Sequence, residues 1–278
     1  MLLSLDDLKQ YAIHATDGEV GRVKDFYFDD LGWTIRYLVV DTGSWLMGRQ
    51  VLISPMAVGK PNWTYKTLPV DITQEMVKNS PDINTDKPVS RQNEQELLGY
   101  YGYPNYWGAD GLWGMELATG MTGSVNNIDS RYAAIKPADR GYIDARVNEG
   151  DQHKKDDSHL RSCKEVTGYQ IHASDGEIGH ISGMLVDAHM WAVRYLIVDT
   201  SNWWVGHKVL IAPLWLDQVR WPTREVTVNL TREQVKNATA YDASVKLDRT
   251  QEDALHRHYG RIGYWDNEIS NEKVESYD

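Results

Sequence analysis

The sequence predicts a mainly β protein: two tandem small β-barrels, each followed by short α-helices. Three observations carry that prediction. Trp33-Thr-Ile-Arg-Tyr-Leu-Val-Val-Asp-Thr-Gly-Ser-Trp45 returns as Trp191-Ala-Val-Arg-Tyr-Leu-Ile-Val-Asp-Thr-Ser-Asn-Trp203. Around it, Tyr11 to Trp107 stays in step with Tyr169 to Trp265 without an inserted or deleted residue. Within each copy, β-branched and aromatic runs alternate with Gly, Asp-Gly and Pro turns at the close spacing of a small barrel. A fixed internal period near domain size means two copies of one domain. The boundaries that follow are 1–107 for the first domain with its tail, 108–158 for the segment between, and 159–278 for the second domain with its tail.

Taken in order, Tyr11 to Ala15 is a short strand ended by Asp17-Gly18, a strong hairpin signal. Val20 to Asp29 is the return strand, and Asp30-Leu31-Gly32 turns the chain into the central strand. Read from Trp33, alternation places Trp33, Ile35, Tyr37 and Val39 on an apolar face, with Thr34, Arg36, Leu38 and Val40 on a mixed one. Asp41 to Ser44 supplies turn chemistry. The apolar tip Trp45-Leu46-Met47 follows, before Gly48. Arg49 to Ser54 is a strand closed by Pro55, and Trp63 to Ile72 holds another. Thr73 is placed to cap a helix over Gln74 to Asn79, and Thr231 with Gln234 has capping-box spacing. Arg91 to Tyr101 is a further helix stopped by Gly102, matched by Glu252, Leu255, His256 and Tyr259. Gly108 to Ser158 has no counterpart in the second copy and reads as a partly disordered linker.

Composition narrows the function classes. A chain of 278 residues with 41% apolar side chains can fill two cores. Its 11 Trp and 16 Tyr against 2 Phe bring apolar area together with polar atoms that need partners, which suits rims and interfaces. The net charge of −11 argues against nucleic-acid and anionic-lipid partners. The single Cys163 leaves no intrachain disulfide and fits a reducing compartment. With no apolar run of membrane-spanning length and no basic signal-peptide start, the chain is expected to be cytoplasmic.

Several repeated polar residues are of types that carry chemistry. His14, Asp17 and Glu19 recur as His172, Asp175 and Glu177, a set with metal or acid–base potential. Hairpin geometry makes a structural role the expectation, because Asp-Gly is turn chemistry and alternation separates the other side chains. Arg36, Arg194, Asp41 and Asp199 are expected to serve ion pairs or turn caps. Arg91 with Glu94, and Arg249 with Glu252, have the spacing of solvated helix pairs. His153, His159 and Cys163 lack metal-site spacing, and His256 and His258 diverge. No catalytic residue, metal set or cofactor is assigned: phosphate-loop, dinucleotide, nucleophile-elbow and Cys-x-x-Cys patterns are all missing. The tips Trp45-Leu46-Met47 and Trp203-Trp204-Val205 are the candidate interaction surface, since apolar loop tips need cover.

Asp17-Gly-Glu-Val-Gly21, Tyr37-Leu-Val-Val-Asp41 and Val51-Leu-Ile-Ser-Pro55 resemble the PRC-barrel domain family. Asp175-Gly-Glu-Ile-Gly179, Tyr195-Leu-Ile-Val-Asp199 and Val209-Leu-Ile-Ala-Pro213 repeat the resemblance in the second copy. That family includes the cytoplasmic domain of the photosynthetic reaction-centre H subunit. The resemblance implies a small barrel used as a docking module and transfers no catalytic residue. The leading expectation is a non-enzymatic protein-interaction module, with a protein partner or a second copy of the chain. The alternatives are a peripheral component of photosynthetic electron transfer, in contact with a membrane complex, and a small-ligand binder or enzyme using the cleft between barrels.

Overall fold

Each half of the repeat folds the same way because the same turn chemistry punctuates the same apolar runs. The computed structural model describes residues 1–83, 89–106, 159–201 and 207–265. The first copy contains β1 (Leu2–Ser4), α1 (Leu5–Leu8), β2 (Ala12–Ala15), β3 (Gly18–Asp29), β4 (Thr34–Asp41), β5 (Gln50–Ile53), β6 (Thr67–Pro69) and α2 (Gln74–Asn79). Helix α3 (Arg91–Tyr101) follows. The second copy begins with β7 (Leu160–Ser162), α4 (Cys163–Val166), β8 (Gln170–Ala173), β9 (Gly176–Asp187) and β10 (Val193–Asp199). It ends with β11 (Lys208–Ile211), β12 (Leu216–Arg220), β13 (Glu225–Val228), α5 (Arg232–Lys236) and α6 (Arg249–His258). Short 3₁₀ turns follow Ser54 and Ala212, entered through Pro55 and Pro213.

The strands form two mixed sheets. One runs β5-β4-β3-β2-β6 and the other β11-β10-β9-β8-β13-β12. All neighbours are antiparallel except β2 with β6 and β8 with β13. The long strands β3 and β9 are each broken by bulges, which bend them and let one strand pair with several others. Phe26, Phe28, Ile35, Leu38, Val40 and Ile53 fill the first core, and Ile181, Val186, Leu196, Val198 and Ile211 the second.

One strand of each sheet comes from the other copy. Strand β1 pairs with β9, Leu2 opposite Asp187 and Ser4 opposite Leu185. Strand β7 pairs with β3, Leu160 opposite Asp29 and Ser162 opposite Tyr27. The short helices behind these strands bury Leu5 and Leu8 in one case, and Cys163 and Val166 in the other. Arg161 anchors the second arm by donating from Nε to Asp30 at 2.9 Å. The sheets also meet directly: Ile35 N–H donates to the Trp191 carbonyl at 2.8 Å, and Val193 N–H to the Trp33 carbonyl at 2.7 Å. This reciprocal pair, about the Thr34–Ala192 bridge, is what a pseudo-twofold relation between the copies requires.

Trp33 and Trp191 precede that bridge with φ of 49° and 54°. Trp33 is therefore a turn residue and not the first residue of the central strand. Its indole stacks on Phe28 at 4.9 Å, and that burial offsets the left-handed backbone.

Residues Met1–Pro88 and His159–Gly260 make one compact unit, so the sequence-derived boundaries divide the chain by repeat while the hydrogen bonds cross them. The expected linker 108–158 lies outside the described residues. A second unit comprises Val89–Ser158 and Arg261–Asp278. In its described part, Ser90 caps α3 and Gly102, at φ 72°, ends it. No helix among the described residues is long and apolar enough to cross a membrane.

Asp25 of β3 is buried against the incoming second arm, and that burial pushes its carboxyl above the usual range; the hydroxyl of Ser162 and nearby backbone N–H groups pull it only partly back. A raised native pKa means the folded state binds the proton more tightly than the unfolded chain does. Asp25 therefore adds stability at pH below the unfolded carboxylate value of about 3.9 and loses it as pH rises through its higher folded value. Denaturant titrations from pH 4 to 7 are expected to show wild type losing stability relative to D25N over this window. A constant difference between the two proteins would show that the carboxyl is not held up.

Candidate functional site

The residues singled out from the sequence fall into two local structures, and in the first copy one residue of each, Asp17 and Trp45, lines a common groove. The hairpin between β2 and β3 places Asp17 beside α2. Asp17 Oδ1 accepts the Gln74 backbone N–H at 2.7 Å, and Gln74 Nε2 donates to the Glu19 carbonyl at 2.7 Å. In the second copy, Asp175 Oδ1 accepts the Arg232 N–H at 2.7 Å. A helix start leaves N–H groups without partners, and a carboxylate there satisfies one while meeting the positive end of the dipole. Thr73 and Thr231 cap the same helices, the latter in a capping box with Gln234.

The rest of the hairpin set points elsewhere. His14 is exposed and sits opposite Glu19 in strand register; His172 is half-buried opposite Glu177. Among the described residues no three His, Cys, Asp or Glu side chains converge on a point where a metal ion could sit. The Asp17 and Asp175 carboxylates act as staples between hairpin and helix. Gly176 takes φ +140°, where a side chain is strained; a Cβ on Gly18 would instead meet the flexible end of Gln74, 2.9 Å from Nε2, and push that amide from its place.

The tip between β4 and β5 is tied by its own backbone. Asp41 Oδ1 accepts the Gly43 N–H at 2.9 Å, Gly48 N–H donates to the Gly43 carbonyl at 2.6 Å, and Thr42 Oγ1 donates to the Arg49 carbonyl at 2.6 Å. Arg49 clamps the base of the tip by donating to the Lys78, Ser80 and Pro81 carbonyls at 3.0, 2.6 and 2.9 Å. The side chains at the summit stay in solvent: Trp45 is 39% exposed and Met47 100% exposed, with Leu46 half-buried. Met47 also adopts φ 55°, a left-handed conformation costing an L-residue about 1 kcal/mol. Trp45 leans over an open groove of about 370 Å³ that it lines with Asp17, Gln74, Glu75, Lys78 and Asn79. One hairpin carboxylate and the tip tryptophan thus share a surface. Trp203, Trp204 and Val205 of the second tip lie outside the described residues.

One pair of apolar positions is exposed in both copies. Met56 and Leu214, equivalent in the repeat, are 43% and 74% exposed on the turns after Pro55 and Pro213. Met56 borders a separate shallow groove with Val58, Pro69 and Val70.

The burial of two carboxylates is not what spacing predicts. The carboxylates of Glu94 and Glu252, read as members of solvated pairs, are buried. Glu252 Oε2 accepts the Tyr195 hydroxyl at 3.0 Å, and that hydroxyl also lies 2.9 Å from His256 Nε2, under the Trp215 ring. Arg249 approaches the same carboxylate at 3.5 Å. Glu94 accepts from Arg91 at 3.2 Å and from the Tyr106 hydroxyl. Hydrogen-bonded partners let a carboxylate be buried without an orphaned charge. Tyr195, Glu252 and His256 form a packed polar knot fastening α6 to the second sheet. The signal available in sequence was Glu252 and His256 four apart on the face that also carries Leu255 and Tyr259. Arg36, in turn, donates from Nε to Asp29 at 2.7 Å, leaving Asp41 and Asp199 as turn caps.

No protein-family model matches the chain, and no curated protein does.

Proposed function

We propose that this chain is a non-enzymatic docking protein whose two β repeats are PRC-like barrels and whose apolar loop tips receive a protein partner. The observation that carries the reading is the tip Trp45-Leu46-Met47. It spends apolar area on solvent and holds Met47 in a left-handed backbone, although a polar residue or glycine would serve the turn better. Strain kept at an exposed apolar summit points to a use for that summit. Burying one indole in a partner contributes about 2–3 kcal/mol, enough to make Trp45 an anchor. Below it, the groove brings Asp17, Glu75 and Lys78 within reach of polar groups on the same partner.

The test compares wild type with W45S/M47G in affinity purification from the native cell. The variant is expected to lose a defined set of proteins that wild type retains. It is also expected to match or exceed wild type in melting temperature, because glycine relieves the backbone at position 47. Equal capture by both proteins would sink the docking role of the tip. A clear fall in melting temperature would show that the tip supports its own repeat.

A further inference from the structure

The two arm-docking interfaces are equivalent in the repeat, yet they are built from different residues. On the first sheet, Asp25 accepts the Ser162 hydroxyl at 2.5 Å and the Lys164 N–H at 3.1 Å. On the second sheet the equivalent residue is Gly183, and the arm fills its place. Asp6 Oδ2 lies 3.1 Å and Ile197 Cδ1 3.3 Å from where a Cβ on Gly183 would stand. Across the strand pairs, Asp25 faces Val39 while Gly183 faces the larger Ile197. The second-arm residue equivalent to Asp6 is Lys164. At this one position each interface therefore places a carboxylate, given by the sheet in the first case and by the arm in the second.

We propose that this division is a lock that pairs each arm with the sheet of the opposite repeat, with Asp6, Asp25, Gly183 and Ile197 as its specificity determinants. The first arm on a first-type sheet would bring Asp6 against buried Asp25, and two carboxylates that close cannot both stay ionised cheaply. The second arm on a second-type sheet would aim the Ser162 hydroxyl and Lys164 N–H at Gly183, leaving these part-buried donors without the acceptor that Asp25 gives them. One mispairing is blocked by repulsion and the other by unsatisfied polar groups. The cognate partner of each docking surface is the other half of the same chain, and like-with-like assembly between copies is disfavoured.

A transplant in the full chain tests this. G183D/I197V gives the second sheet the side chains of the first, and D6K gives the first arm the residue of the second. G183D/I197V is expected to lower the melting temperature by about 3 °C or more, and adding D6K to recover at least half of the loss. A triple variant melting no higher than G183D/I197V, or G183D/I197V melting as wild type does, overturns the proposal. If G183D/I197V does not fold, folding of the triple variant is the rescue, and failure of both overturns it. Pairing is read separately, by cutting a full-length chain that carries a protease site inserted between residues 108 and 158. Native mass spectrometry of cut wild type is expected to show one N-terminal with one C-terminal fragment. The cut triple variant is expected also to give complexes of two C-terminal fragments. Wild-type fragments that separate as folded monomers, or a triple variant without such like-with-like complexes, would falsify the lock.

Discussion

Alanine at Gly21 or Gly179 is expected to cost about 4 kcal/mol or more, or to prevent folding altogether. A Cβ on Gly21 would stand 2.1 Å from the Asp41 carbonyl oxygen, and one on Gly179 2.0 Å from that of Asp199. These are backbone atoms at the ends of β4 and β10, so no side chain can swing aside to make room. The bulges at Ile13–His14 and Ile171–His172 bring the hairpin strand this close to its neighbour, and each ladder would have to part to admit a methyl group. Chemical denaturation of G21A and G179A measures the loss. The two costs are expected to be similar, since the geometry is repeated. A midpoint within the error of wild type for either variant would show that the strands do not approach so closely.

Leu8→Ala is expected to cost about 2–5 kcal/mol and to weaken both sheets together. Leu8 is fully buried, although it belongs to an eight-residue segment that a reading by repeat assigns to the first domain. It sits behind β1, which hydrogen-bonds to β9 of the second copy, while β7 returns the exchange on β3. Loss at one arm therefore removes apolar cover from the opposite sheet. The reciprocal Trp33 and Trp191 bonds transmit that loss to the sheet the arm came from. Hydrogen exchange on L8A is expected to show amides of β3 and β9 losing protection in parallel, in a single cooperative transition. Selective opening of the second sheet, with β3 as protected as before, would show that the repeats are stable independently.

The elements and their doubling are legible in the chain alone. The period, the Asp-Gly hairpins, the prolines closing β5 and β11, and the Thr73, Thr231 and Gly102 signals are all local. A turn or cap is specified by residues within four or five positions of each other, so a single chain displays it in full. The turn chemistry of Asp17 and Asp175 was legible for the same reason, though not their partners: Gln74 and Arg232 are 57 positions away. Everything set by pairing at long range comes from the fold instead. Alternation cannot say which sheet a three-residue strand such as β1 or β7 will join, because either edge offers the same backbone donors and acceptors. Spacing placed Glu94 and Glu252 in solvent, since helix geometry is blind to the Tyr106 and Tyr195 hydroxyls that make their burial tolerable. Trp33 looked like a strand residue because its alternation was right. Its left-handed backbone belongs to the turn in which Trp33 N–H donates to the Asp29 carbonyl; the Thr34–Ala192 bridge that follows, between residues 158 positions apart, is the contact no local pattern encodes.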